Sequence, residues 1–335
     1  MDADVLDYYL HEAPSPQNTL DLFAGEWTSL FPEEYGDLKA GTVPLFGDDR
    51  LAWGMQQLGG VDGKTVLELG SLEGGHTSMF EVWGAASIVA IEAHSRAYLR
   101  SLIVKEILGL RRAQFLYGDC VKYLANNPGT FDLCCASGIL YHMTDPVALL
   151  AAISRVCNGI YLWTHYYDRD IIANTPRLAG RFNSSQERAS EGFKHTLYRQ
   201  DYGRELQSEK FVGGKQSHSQ WMSRQAILDC LEHFGFGEIQ INYDILDHPH
   251  GPSFSVTAVK TRNRVSPDSS SISHEQNNGQ LDRTAQKIKK RSPIEELTAQ
   301  LQQSQDRIVA MESSKFWKLR TQWFKLKSRL GLPTD

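Results

Sequence analysis

Three acids in this chain lie in or just after apolar stretches, and one of them, Glu92, stands where a ribose could be held. Glu68 lies inside Val66-Leu-Glu-Leu-Gly-Ser-Leu-Glu-Gly-Gly75, Glu92 near the end of Ile88-Val-Ala-Ile-Glu-Ala93, and Asp119 at the end of Ala113-Gln-Phe-Leu-Tyr-Gly-Asp119. The apolar part of each stretch reads as a buried strand, and Gly70 to Gly74 as a glycine-bearing turn into a helix. Glu92 follows Gly70 by 22 residues, a spacing at which the acid ending a second strand can accept hydrogen bonds from ribose hydroxyls. The turn discriminates among adenosine compounds. A dinucleotide fingerprint needs a middle glycine so that backbone can approach the pyrophosphate. Leu72 occupies that position, and Glu68 would repel a phosphate. A ligand carrying a sulfonium and an amino acid meets neither objection, so S-adenosylmethionine is the expected cofactor.

Methyl transfer from a sulfonium needs little beyond alignment of the acceptor, about 3–3.5 Å from the methyl, and exclusion of water. A hydroxyl acceptor must also lose its proton. The candidate bases are His142, in Leu140-Tyr-His-Met143, and His165 with Asp168, in Trp163-Thr-His-Tyr-Tyr-Asp168. Histidine suits the task because its ordinary pKa lies near working pH. His142 could equally contact the cofactor or cap a turn, and His218 could enter from a loop. No carboxylate-rich set accompanies the histidines, so no metal is expected.

With Phe131-Asp-Leu-Cys-Cys-Ala-Ser-Gly138 as a fourth strand, the chain resembles the class I S-adenosylmethionine-dependent methyltransferases over residues 60–262. The resemblance implies a Rossmann-like methyltransferase fold. It also implies that Glu68, Gly70 and Gly74 hold the methionine part, Glu92 the ribose, and Asp119 the adenine, with Ser137 at the end of strand four. Leu72 departs from the family's usual glycine. Gly138-Ile-Leu-Tyr-His-Met-Thr-Asp-Pro146 is similar to the segment after strand four in wobble-uridine tRNA methyltransferases and in bacterial small-molecule methyltransferases.

These residues need a frame to position them. Near-continuous apolar strands alternating with helical segments predict an α/β fold: a doubly wound, mostly parallel seven-stranded sheet with a C-terminal helical appendage. Crossover handedness then places the strand ends carrying Gly70, Glu92, Asp119 and Ser137 on one edge, where ligands bind. The predicted strands are 65–70, 87–93, 113–119, 131–137 and 159–166, followed by 237–246 and 253–260 as a closing hairpin. Residues 1–60 form an N-terminal segment in which Phe23, Trp27 and Leu30 have helical spacing. That segment either covers the cofactor mouth or packs on the sheet edge. Residues 168–220 interrupt the alternation and read as a lid or substrate-binding insertion.

Beyond the domain, residues 263–292 are too polar to fold and read as a flexible linker. Residues 293–335 carry a short heptad pattern, then a basic, aromatic amphipathic stretch with six bases and no acids from Lys315 to Arg329. Residues 313–331 could meet a protein partner or an anionic membrane surface, self-associate, or pack on the domain. Ser314-Lys-Phe-Trp-Lys-Leu-Arg320 is similar to tails of bacterial surface-glycan glycosyltransferases.

Composition narrows the classes. The 335 residues carry a formal charge of −5, with 11 acids against 2 bases in residues 1–50 and 12 bases against 6 acids in residues 281–335. Residues 1–262 show no dense basic stripe, which argues against a nucleic acid substrate. No apolar run is long enough to span a membrane, and the acidic start does not read as a secretory signal. Five cysteines without metal-ligand spacing suit a reducing cytoplasm, with residence at the inner membrane face an option for the tail. The expected function is methyl transfer to a small molecule or a sugar or glycan precursor. The alternatives are a wobble-uridine tRNA methyltransferase, an NAD-dependent oxidoreductase, and a non-catalytic S-adenosylmethionine-binding adaptor that works through its tail.

Overall fold

The computed structural model describes residues 9–126, 128–203, 213–214 and 216–261. The linker and tail expectations fall on residues 262–335, outside those described. In chain order the elements are α1 (Pro16–Asp21), α2 (Asp49–Gln57), β1 (Thr65–Leu69), α3 (Gly75–Val82), β2 (Ser87–Glu92), α4 (Ser95–Leu108), β3 (Ala113–Tyr117), α5 (Cys120–Ala125), β4 (Phe131–Ser137), α6 (Pro146–Val156) and β5 (Cys157–His165). Then come α7 (Arg169–Asn174), α8 (Pro176–Ala179), β6 (Phe182–Ser190), β7 (Phe193–Asp201), β8 (His218–Trp221), α9 (Arg224–His233), β9 (Phe236–Ile245) and β10 (Ser253–Lys260).

The main sheet has the order β3-β2-β1-β4-β5-β10-β9. β1 to β5 pair in parallel, and β10 runs antiparallel to both β5 and β9. Strand order reverses between β1 and β4, and Gly70 and Ser137 follow or end those two strands. Such a switch point opens a crevice beyond the strand ends.

Both sheet faces are apolar because both are covered. Leu67 and Leu69 of β1 pack with Val147 and Leu150 of α6 and Ile227 and Leu231 of α9. Val66, from the opposite face of β1, packs with Met79 and Phe80 of α3 and Leu51 and Met55 of α2. Full burial of such side chains contributes roughly 1.5–3 kcal/mol each.

The N-terminal segment departs from the helical expectation. Helix α1 stops at Asp21, and Gly25 takes φ 82°. Phe23 and Trp27 are buried against α4 beside Val104, whereas Leu30 is exposed. A carboxylate from the sheet edge competes for the backbone here. Thr28 and Ser29 donate their N–H groups to Glu73 at 2.9 and 2.8 Å, and the Trp27 indole N–H donates to the Leu20 carbonyl. The segment both packs on α4 and reaches the crevice through Glu26, Ser29, Leu45 and Arg50.

Residues 168–220 contribute α7, α8 and a separate antiparallel sheet, β6-β7-β8. That sheet is tied to the turn after β4. Gln220 N–H donates to the Met143 carbonyl at 2.8 Å, and the Trp221 indole donates to the Tyr141 carbonyl at 3.0 Å.

Candidate functional site

The crevice is an open cleft of about 1870 Å³. Its cofactor side is built from the turn after β1. Leu72 adopts φ 51°, a left-handed conformation that costs a non-glycine residue roughly 1–2 kcal/mol. Its backbone N–H donates to Glu92 Oε2 at 2.9 Å, and its carbonyl accepts from Ser101 Oγ at 3.2 Å on α4. Leu72 therefore keeps the turn that a glycine would make. Glu92 is buried at the end of β2, and its other oxygen accepts the His94 N–H at 2.8 Å. Burial raises its pKa against these backbone hydrogen bonds. Each carboxylate oxygen keeps a second lone pair, which is what a ribose diol requires.

Asp119 Oδ1 caps α5 by accepting from Val121 and Lys122 N–H at 2.8 and 3.1 Å. Its Oδ2 has no hydrogen bond among the described residues and can accept from an amino group. Gly70 and Ser137 also line the cleft.

Two expected ligands of the cofactor stand behind the wall instead. Glu68 shares its face of β1 with Val66, so α3 covers it completely, and Thr77 Oγ1 donates to its carboxylate. Burial raises its pKa to about 7. Gly74, at φ 79°, would bring a Cβ to 3.0 Å from the Phe115 ring, so it shapes the turn from the rear. Glu68 and Gly74 support the turn and do not line the cleft.

The opposite side of the cleft holds Arg50, His76, Tyr141, His142 and Trp163. Arg50 donates Nε and Nη2 to Asp48 at 2.9 and 2.6 Å, and its guanidinium lies 4.5 Å from the Trp163 ring centroid. The His76 Nε2–H donates to Asp48 at 3.1 Å. Burial opposes ionisation of Asp48, but the hydrogen bonds from His76 and Arg50 hold its carboxyl well below the usual carboxylate range. His142 sits in the short 3-10 turn Leu140–His142, with Nδ1 3.0 Å from the Tyr202 hydroxyl and its ring 4.2 Å from that of Tyr141. Burial lowers its pKa to about 4.

The other two expected bases are elsewhere. The His165 Nδ1–H donates to the Gly251 carbonyl at 2.8 Å, and its ring stacks on Trp221 away from the cleft wall. Burial, reinforced by His248, lowers its pKa to about 3. Asp168 caps α7, accepting from Asp170 and Ile171 N–H at 3.0 Å each. His218 heads β8 without lining the cleft. Among the described residues no group of three His, Cys, Asp or Glu could hold a metal ion.

Sequence reasoning missed Arg50, Asp48, His76, Trp163, Tyr202 and Glu73. Asp48 carried a signal, since Asp48-Asp-Arg-Leu is a helix start with an N-cap acid. The others meet only through the fold.

The cleft suits S-adenosylmethionine. The buried carboxylate of Glu92 lines it beside Gly70 and the turn after β1. Two wall hydroxyls, Ser29 Oγ and Ser71 Oγ, are buried without a hydrogen-bond partner. Residues 67–159 match the family model described as a methyltransferase domain. The N-terminal domain of EvdMO1, solved in the presence of S-adenosylhomocysteine and D-fucose, is similar with TM-score 0.56 and 24% identity, over 73% of this chain and 95% of that one. The same domain with S-adenosylhomocysteine bound is similar with TM-score 0.56 and 23% identity, over the same 73% and 95%. No curated protein matches the chain. The matched domain and the strand order agree: residues 67–159 carry a methyltransferase domain, set in a Rossmann-like methyltransferase fold that resembles the class I S-adenosylmethionine-dependent enzymes.

Proposed function

We propose that the chain methylates a hydroxyl oxygen of a small polar acceptor, a sugar or glycan precursor, with His142 taking the hydroxyl proton. The carrying observation is the wall opposite the cofactor turn. It sets an imidazole kept neutral by burial, His142, near a buried, unpartnered N–H donor, Trp163 Nε1, through the Tyr141 ring that touches both. Aromatic faces with interspersed donors suit a polyhydroxylated ligand. The D-fucose present with the EvdMO1 domain supports a sugar, as a statement about that protein.

The cofactor supplies an electrophilic methyl carbon on sulfur. Glu92 would hold the ribose and Asp119 the adenine amino group. Tyr202 positions the His142 ring, its hydroxyl 3.0 Å from Nδ1. The β6-β7-β8 insertion supplies Tyr202 at its Asp201 end and so helps close the acceptor side against water.

The test is a panel of free sugars and nucleotide-linked sugars, followed by S-adenosylhomocysteine release. Sugar-dependent turnover that His142→Ala abolishes supports the reading. Turnover only on nitrogen or carbon acceptors, or on RNA in a salt-sensitive manner, rejects it.

A further inference from the structure

We infer that Arg50 binds an oxyanion of the acceptor, a carboxylate or a phosphate, through the guanidinium edge turned away from Asp48, so that the preferred acceptor is an anionic sugar. The inference deepens the sugar reading of this wall and rests on it.

The donor geometry comes first. Arg50 Nε and Nη2 both donate to Asp48, which takes up the side of the guanidinium nearest its stem. At the tip, an N–H of Nη1 runs parallel to the second N–H of Nη2, and Nη1 has no hydrogen bond among the described residues. Two parallel N–H groups are a bidentate match for a carboxylate or a phosphate. Arg50 lines the cleft with 27% of its side chain exposed, against 5% for Asp48, so the tip is the part that meets a ligand. Trp163, 4.5 Å from the guanidinium, covers one face and leaves the edge for approach.

Asp48 fixes the fork rather than filling it. Its Oδ1 accepts the Arg50 N–H and Nε, and its Oδ2 accepts Arg50 Nη2 and His76 Nε2, so its four lone-pair sites are taken. It has nothing left to accept an acceptor hydroxyl. His76 stands in the first turn of α3, so the same carboxylate ties the fork to the helix that follows the cofactor turn. The other acids of the cleft are occupied elsewhere. Glu26 and Glu73 pair with Arg96 and Arg100, Glu92 ends β2, and Asp119 and Asp145 cap α5 and α6. Beyond Trp163, at 6.1 Å between ring centroids, burial and then the charges of His250 and Arg50 hold His248 below its ordinary pKa, with Asp247 opposing. The potential there is positive and favours an anion.

The probes are D-galactose, D-galacturonate and galactose 1-phosphate. Each is titrated by calorimetry into the full chain saturated with S-adenosylhomocysteine, and assayed as a substrate with S-adenosylmethionine. At least one anionic sugar should bind about 10–100-fold more tightly than galactose, the scale of a charged hydrogen bond, and which one does so separates carboxylate from phosphate. Arg50→Gln should bring that preference to about parity. Arg50→Lys keeps the charge without the fork and should keep only part of it. S-adenosylhomocysteine affinity within about threefold of wild type certifies that a variant is folded. Galactose bound as tightly as both anionic sugars, or a preference that survives Arg50→Gln, would overturn the inference and leave the sugar reading standing. An anionic sugar held through Arg50 but never methylated would keep the inference and remove the proposed reaction. If none of the three binds or turns over, both fall.

Discussion

The two sides of the cleft are assembled differently. The cofactor side comes from one stretch of chain, Gly70 to Asp119, in which three consecutive strand ends deliver the turn, Glu92 and Asp119. The opposite side, where we place the acceptor, draws on Arg50 from α2, His142 after β4, Trp163 from β5 and Tyr202 beyond β7, the last brought in by the insertion that is tied to Tyr141. Backbone hydrogen bonds fix the first side, and ring contacts and charged pairs fix the second. The strand-end plan is shared with every fold of this type.

Substitutions can separate the two sides. The largest loss should follow Glu92→Ala, which removes two ribose hydrogen bonds and releases the Leu72 N–H. S-adenosylhomocysteine affinity should fall by about 100-fold or more, and unchanged binding in calorimetry would break the assignment of the cofactor side. On the acceptor side His142→Ala should lower kcat by about 10²–10⁴-fold with S-adenosylhomocysteine affinity kept. Because a base must be deprotonated to act, wild-type kcat/KM should hold steady as pH falls from 8 and decline only near the His142 pKa of about 4. A decline near the ordinary histidine value would exclude this residue as base.

Glu68 tests the support behind the wall. Its pKa is about 4.5 unfolded and about 7 folded, so its stability contribution is full below pH 4.5 and is lost as pH rises through 7. Glu68→Gln should remove that dependence and stabilise the ligand-free protein above pH 7 by up to about 3 kcal/mol in urea unfolding. A destabilised variant would mean that the ionised form is needed. The smallest effect should come from Leu72→Gly, which keeps the N–H bond to Glu92 and relieves the left-handed strain. Affinity for S-adenosylhomocysteine should change less than about threefold; a large gain would show that the leucine side chain obstructs the ligand.

The strand ends were legible because strand periodicity and spacing are local signals, and they suffice to put Glu92 at the end of β2. Glu68 was open to a closer reading: alternation along β1 puts it on the Val66 face under α3 rather than at the rim. Asp168 stands before Arg-Asp-Ile-Ile and is a helix cap by the same local chemistry. His165 has no such signal; its neutrality follows from burial, reinforced by His248 far along the chain, against the Gly251 carbonyl that would favour its charged form. The helical spacing of Phe23 and Trp27 misled because Glu73, also distant in sequence, takes the N–H groups that a helix would have used.

The Glu73 fastening gives the cleft a direction. Near the amino end of α3 the wall is stitched shut by two backbone hydrogen bonds and an arginine contact. At the far end Tyr117 is 60% exposed and Asp119 faces solvent. The cleft is therefore fastened at one end and open at the other, and a molecule can enter past Tyr117 without the Glu73 contacts being undone.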